Sequence, residues 1–218
     1  MARPALVFYF DYISPFAYLA SSRIEAIGAR LGVRVEPRPV LFAGLLNHFG
    51  QLGPAEVEPK RRWAFRRALR RAGQLGVQLQ PPPSHPFNPL LALRVTEAAP
   101  EEQRWRVIHA LFQAAWANGT GVEQEAEIRQ ALQGHSLDVD QLLRAAGTSR
   151  IKDALRAATE GAIAEGVFGV PTCLLRGELY WGEDTFDDMV VEAESGGAPQ
   201  DERLERWLSL GATARRQP

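Results

Sequence analysis

The sequence predicts an α/β fold in which two short β-containing segments enclose a large all-helical insertion. Three observations predict it. A β-rich run opens the chain and is followed by a helix start and a second β run. The stretch from about Phe42 to Ile163 carries almost no strand signal, and the β pattern returns only near Val170.

Taken in order, Ala5 to Phe10 holds the run Leu6-Val7-Phe8-Tyr9-Phe10, which reads as a buried strand. Asp11-Tyr12-Ile13-Ser14-Pro15 stops it and opens a helix. Ser14 is placed to cap that helix, and Pro15 takes the first helical position, where a missing N–H costs nothing. Phe16, Leu19, Ala20, Ile24 and Ile27 continue one helix at apolar helical spacing, with Gly32 as its stop. Val33 to Val40 reads as a second strand, so the chain opens as βαβ with parallel strands. Helical patterns then fall near 59–76, 89–98, 100–118, 122–133, 138–146 and 148–165, separated by glycine and proline breakers such as Gly76, Pro81-Pro82-Pro83 and Pro100. Val170–Leu175 reads as a strand, Gly177-Glu178 as a hairpin turn and Leu179–Trp181 as its partner. A helix from about Thr185 to Glu194 follows, then a break at 195–199, a short amphipathic helix around Glu202–Leu210 and a tail from Ala212 expected to be mobile. Assembled, the two ends form a four-stranded thioredoxin-like sheet. Residues 1–42 and 164–218 are expected to make one discontinuous domain, with 43–163 as the helical insertion.

The 218 residues are 45% hydrophobic and 23% charged, with 25 Lys+Arg against 26 Asp+Glu. This excludes a disordered or collagen-like chain. No apolar run reaches the roughly 18–20 residues that span a bilayer, so no membrane partner is expected. The near-zero net charge argues against broad nucleic-acid binding. The single cysteine, Cys173, forbids an intrachain disulfide and a cysteine-based zinc cluster. With no secretory pattern at Met1–Pro4, that points to a reducing, cytoplasmic setting. On the presumptive central strand, a lone buried cysteine acts as a small hydrophobe. The four histidines, His48, His85, His109 and His135, lack metal-ligand spacing, and no metal is expected. His48 and His85 fall in segments read as loops at the edge of the cleft.

Three segments carry candidate chemistry. Ser14-Pro15-Phe16-Ala17 lies at a strand-to-helix junction, where unpaired N–H groups and the helix dipole favour an anion. Ser14 has no adjacent base and is a poor nucleophile; it suits capping, or donating a hydrogen bond to a ligand anion. Gly166-Val167-Phe168-Gly169-Val170-Pro171-Thr172 suggests a constrained turn entering a strand, compatible with a cis Val170–Pro171 bond or with a simple strand-initiating proline. In Trp181-Gly182-Glu183-Asp184-Thr185-Phe186-Asp187-Asp188, Thr185 and Asp188 fit a capping box. The same helix start can receive a ligand carboxylate while Asp184 pairs with an ammonium. A fourth feature is Lys60–Arg71, with seven basic residues on one helix: a solvated face, or one that steers an anionic aromatic acid.

Phe10-Asp11-Tyr12-Ile13-Ser14-Pro15-Phe16-Ala17-Tyr18-Leu19-Ala20, with Gly166–Thr172, Trp181–Asp184, Arg38–Leu41 and Phe87–Arg94, resembles the 2-hydroxychromene-2-carboxylate isomerases. That family lies in the DsbA-like thioredoxin superfamily, close to kappa-class glutathione transferases. The resemblance runs from Ala5 to Glu194 and implies a glutathione site. In it the Ser14 hydroxyl hydrogen-bonds the glutathione sulfur, with Pro15 and Phe16 beside it. The Val170 backbone, just before Pro171, pairs with the cysteinyl unit. Asp184 and Thr185 hold the γ-glutamyl end, and Pro171, Trp181 and Asn47 complete the implied glutathione set. Asn47 stands near a position that is polar or lysine in relatives; the absence of lysine there bears on the carboxylate of the usual substrate. Asn47, His48, Phe87 and Asn88 face a small aromatic carboxylate. The resemblance further implies a homodimer and an isomerase of aromatic degradation that uses reversible thiolate addition. Kappa-like conjugation and a silent thioredoxin-like binding module are the alternatives; disulfide exchange is disfavoured because Ser14 and Ala17 stand where two cysteines would be needed.

Overall fold

In the computed structural model, residues 5–196 and 202–213 are described; the expected tail beyond 213 and most of the 195–199 break lie outside them. The N-terminal part runs β1 (Ala5–Phe10), α1 (Pro15–Ser21), α2 (Ile24–Leu31), β2 (Arg34–Pro39). The helical part is α3 (Phe42–Phe49), α4 (Glu58–Leu75), α5 (Leu90–Ala98), α6 (Glu101–Phe112), α7 (Glu125–Leu132), α8 (Val139–Ala146) and α9 (Ser149–Ala164). The chain ends with β3 (Thr172–Leu175), β4 (Glu178–Trp181), α10 (Phe186–Glu194) and α11 (Glu202–Leu208). No described helix is long and apolar enough to cross a membrane.

The four strands form one sheet in the order β2-β1-β3-β4. β1 runs parallel to β2 from Ala5↔Arg34 to Phe10↔Pro39, and antiparallel to β3 from Leu6↔Leu175 to Tyr9↔Thr172. β2 is an edge strand, which explains how it tolerates Pro37 and Pro39. The Val40 N–H donates to the Phe10 carbonyl, so by alternation residues 34, 36 and 38 face β1. The outward side falls to Val35, Pro37 and Pro39. Two of those three have no N–H to offer.

Alternation along β1 also divides the core. Leu6, Phe8 and Phe10 enter the larger cluster with α1, α5 and α6, where Phe8 stacks on Phe10 at 5.4 Å and Tyr12 meets Phe112 at 4.7 Å. Tyr9 points the other way, among Val40, Leu45, Ala162, Val167 and Val170. Cys173 lies opposite Phe8 within the larger cluster and is fully buried. Burial pushes its thiol well above the usual range, as expected of a core residue.

Several expected boundaries shift, each for a local reason. The single helix expected from Pro15 to Gly32 is two. Ser21 and Ser22 hydroxyls bond back to the Tyr18 and Leu19 carbonyls at 2.7 Å each, and Arg23 leaves ideal helix geometry at φ −119°. Gly32 does end α2, at φ +66°. Helix α3 was not among the expected elements, although Phe42, Leu45, Leu46 and Phe49 have helical spacing; His48 is therefore helical, not in a loop. The hairpin turns at Arg176-Gly177, both at positive φ (+55° and +88°), so Glu178 opens β4 rather than the turn. Beyond α6 the helix widens into a π-helical segment, Gln113–Ala117.

Candidate functional site

The serine loop forms where β1 ends. Ser14 caps α1: its Oγ accepts the Ala17 N–H at 3.2 Å, and Pro15 occupies the first turn. The Ser14 N–H donates to the Asp11 carbonyl at 3.2 Å. The acceptor side of the hydroxyl is thus engaged, while its O–H finds no acceptor among the described residues. Because α1 has only seven residues, this hydroxyl rather than a long helix dipole is the main donor available to an anion.

Antiparallel pairing of Tyr9 with Thr172 carries Val170 and Pro171 to the same end of the sheet as Ser14. The Val170–Pro171 peptide is cis. The Val170 N–H and C=O make no hydrogen bond among the described residues, which leaves a free edge of backbone beside the serine loop. The Gly182 N–H donates to the Pro171 carbonyl at 2.9 Å, joining this edge to the turn that carries Asp184 and Thr185. Trp181, 54% exposed, lies against the Phe168 ring at 4.9 Å, and a Cβ at Gly169 would stand 2.6 Å from its indole nitrogen. Only glycine lets the two approach so closely.

The capping box expected at Thr185 and Asp188 does not form. Glu183–Thr185 is a 3-10 turn, and the Thr185 hydroxyl donates to the Gly182 carbonyl at 2.9 Å. Asp184 is mostly exposed and lies 3.6 Å from Arg67 of α4. Beside it Glu183, 2% exposed, takes Arg71 at 2.6 and 2.8 Å and is also bonded by Arg23. Burial alone would raise the Glu183 pKa, but bonds to the two guanidiniums outweigh it and hold the carboxyl below its ordinary range. The basic helix α4 is thereby tied to the turn beside the cis proline.

The remaining expected residues divide. Phe87 is buried and packs on His85 and Trp116, with both ring-centroid distances 6.2 Å. The His85 Nε2–H donates to the Ile13 carbonyl at 3.0 Å, so this wall reaches the serine loop. Asn88 is exposed and turns its side chain to its own chain, accepting the Leu90 N–H at 3.1 Å. Asn47 and His48 are exposed on the last turns of α3, and no hydrogen bond of the described residues joins them to Ser14. The link from α3 to the site runs instead through Asp11, whose carboxylate takes the Phe42 N–H at 2.9 Å and the Ile13 N–H at 3.1 Å. Asp11 is fully buried with no cation beside it among the described residues, and desolvation, only partly offset by these backbone donors, pushes its pKa up to about 7. Sequence reasoning did not single out Asp11; the Asp-x-x-Ser spacing at a strand end was its one local signal. Among the described residues no group of three or more His, Cys, Asp or Glu could hold a metal ion.

Known proteins share this fold. The chain is 29% identical over 182 residues to 2-hydroxychromene-2-carboxylate isomerase of Sphingobium xenophagum, covering 83% of this chain and 93% of that one. It is 25% identical over 182 residues to glutathione S-transferase kappa 2 of Caenorhabditis elegans, covering 78% and 80%. A solved structure of 2-hydroxychromene-2-carboxylate isomerase superposes with a TM-score of 0.79 at 24% identity, over 94% of this chain and 98% of that one, which shows the shared fold. The family model described as DSBA-like thioredoxin domain matches residues 5–192, nearly the whole of the fold built above, and the chain belongs to that family.

Proposed function

We propose that the protein is a glutathione-dependent isomerase of the 2-hydroxychromene-2-carboxylate type, acting on a small aromatic carboxylate formed during aromatic degradation. The observation that carries the reading is the Ser14 hydroxyl: its acceptor side is filled by Ala17 and its proton is free, at the end of the sheet where Val170 offers unpaired backbone. A tripeptide thiol fits these groups. Val170 pairs with its peptide backbone as an added strand, Ser14 donates to its sulfur, and Asp184 receives its ammonium. Bound there, glutathione supplies a sulfur nucleophile whose reversible addition to a conjugated C=C bond allows rotation about it. The role of the chain is to raise the thiolate fraction: a hydroxyl donor favours the charged form of the sulfur. Trp181 covers the ligand side, and Phe87 with its aromatic neighbours forms the apolar wall. No thiol of the protein takes part, since Cys173 is sealed in the core.

Spectroscopic titration of bound glutathione tests this. The wild type should show the thiolate band at lower pH than free glutathione, and Ser14→Ala should shift it upward with little change in affinity. An unshifted titration in the variant sinks the proposal. Conjugation of the kappa type is the second reading, favoured by the kappa relative. A stable glutathione adduct by mass would select it, because an isomerase returns its thiol.

A further inference from the structure

The main chain just before Ser14 is gripped from outside by two aromatic N–H donors. The Trp116 indole donates to the Tyr12 carbonyl at 2.7 Å, and the His85 imidazole donates to the Ile13 carbonyl at 3.0 Å. The two rings touch each other at 5.6 Å, and His85 also packs on Phe65 of α4 at 5.0 Å. From the other side, the Ile13 N–H is held by Asp11. Two consecutive residues, Tyr12 and Ile13, thus have backbone groups engaged by side chains rather than by a sheet or a helix ladder, immediately before Ser14.

Two features mark this as more than packing. Trp116 lies in the π-helical segment Gln113–Ala117, an uncommon backbone form that concentrates at functional sites. Its carbonyl is itself pinned by the Gln80 N–H at 2.6 Å, so the ring is aimed from a fixed base. His85 bears a cost as well. A carbonyl can only accept, so Nε2 must carry the proton and Nδ1 is left as a bare acceptor, buried with no partner among the described residues. An apolar ring would fill the same space without that orphaned nitrogen. What the imidazole adds is the bond to Ile13.

We propose that His85 and Trp116 are positioning residues: they clamp the Tyr12-Ile13 carbonyls from the helical part of the chain and so fix the Ser14 hydroxyl towards its ligand sulfur. The ligand half of this statement rests on the glutathione reading above; the clamp itself does not. The wall that would face substrate, Phe65 and Phe87, bears directly on His85, so acceptor side and serine loop share one rigid contact.

The test compares His85→Phe, which keeps a ring and removes the donor, with His85→Gln, which keeps an N–H donor. Trp116→Phe is run in parallel for the case in which His85→Phe does not fold. The first readout needs no ligand: hydrogen exchange at the Ala17 amide, held by Ser14 Oγ, should accelerate about tenfold or more in the Phe variants relative to amides of α9, and return towards wild type in His85→Gln. Unchanged Ala17 exchange in a folded Phe variant overturns the clamp. The second readout is the thiolate titration of bound glutathione. In the Phe variants the thiolate fraction at neutral pH should fall about tenfold while affinity changes less than twofold, with rescue by Gln. Equal loss in Gln and Phe variants overturns the positioning role. A wild type that binds no glutathione overturns the ligand half alone, with Ala17 exchange still deciding the clamp.

Discussion

Replacing Asp11 by Asn should make the protein more stable at pH 8 and leave it unchanged near pH 4. The carboxyl is fully buried, and its pKa stands at about 7 against an ordinary 3.8. The folded chain therefore holds a proton that the unfolded chain releases between about pH 4 and pH 7, so stability falls as pH rises through that window. A shift of about 3 units at 1.36 kcal/mol each amounts to roughly 4 kcal/mol lost across it. Asn has the shape of the neutral acid and keeps one acceptor oxygen for the Phe42 or Ile13 N–H. Urea unfolding followed by tryptophan fluorescence, at half-unit steps from pH 4 to pH 8, gives both profiles. The difference between them should grow by about 4 kcal/mol, nearly all of it below pH 7. Parallel profiles, or a variant that is weaker at pH 8, would show that the ionised carboxylate is well solvated by its backbone donors and that the desolvation argument is wrong.

Glu183 should behave in the opposite sense. Its depressed pKa makes its contribution present above the unfolded carboxylate range and lost as pH falls through the folded value, and Glu183→Gln should remove that acid-side loss. The same substitution leaves Arg23 and Arg71 facing a neutral amide; since both guanidiniums are partly exposed, a cost of roughly 2–4 kcal/mol at pH 7 is expected in equilibrium unfolding. Cys173 should react with an aromatic disulfide reagent at least about a thousandfold more slowly in the folded protein than in denaturant, because access needs the sheet to open. Fast native labelling would place it nearer the surface than described.

What could be read in advance was local. Ser14 and Pro15 announce a helix start through capping chemistry that involves neighbours three residues away, and Gly32 and Gly76 announce helix stops through their left-handed backbone. The cis proline at 171 lies in a segment whose glycines already mark it. Where sequence pattern failed, a competing partner had intervened. The hydroxyl of Thr185 fits a capping box on paper, but the Gly182 carbonyl takes it first. Ser21 and Ser22 interrupt an apolar helical pattern by satisfying carbonyls themselves. The residues that organise the candidate site were the least legible. Asp11 meets Phe42, His85 meets Ile13 and Glu183 meets Arg71 across 31, 72 and 112 residues, and no periodicity encodes such pairings.

The outward side of β2 has a consequence for how copies of this chain can meet. An exposed sheet edge is a template on which another strand can zip, and unchecked zipping leads to runaway assembly. Here Pro37 is mute as a donor and Pro39 is buried as well as mute, so a strand laid against this edge finds a main-chain N–H only at Val35. The edge next to the serine strand therefore polices itself. Continuous sheets spanning several molecules are discouraged at β2, and a partner on that flank leans on side chains and on the few carbonyls the edge still offers.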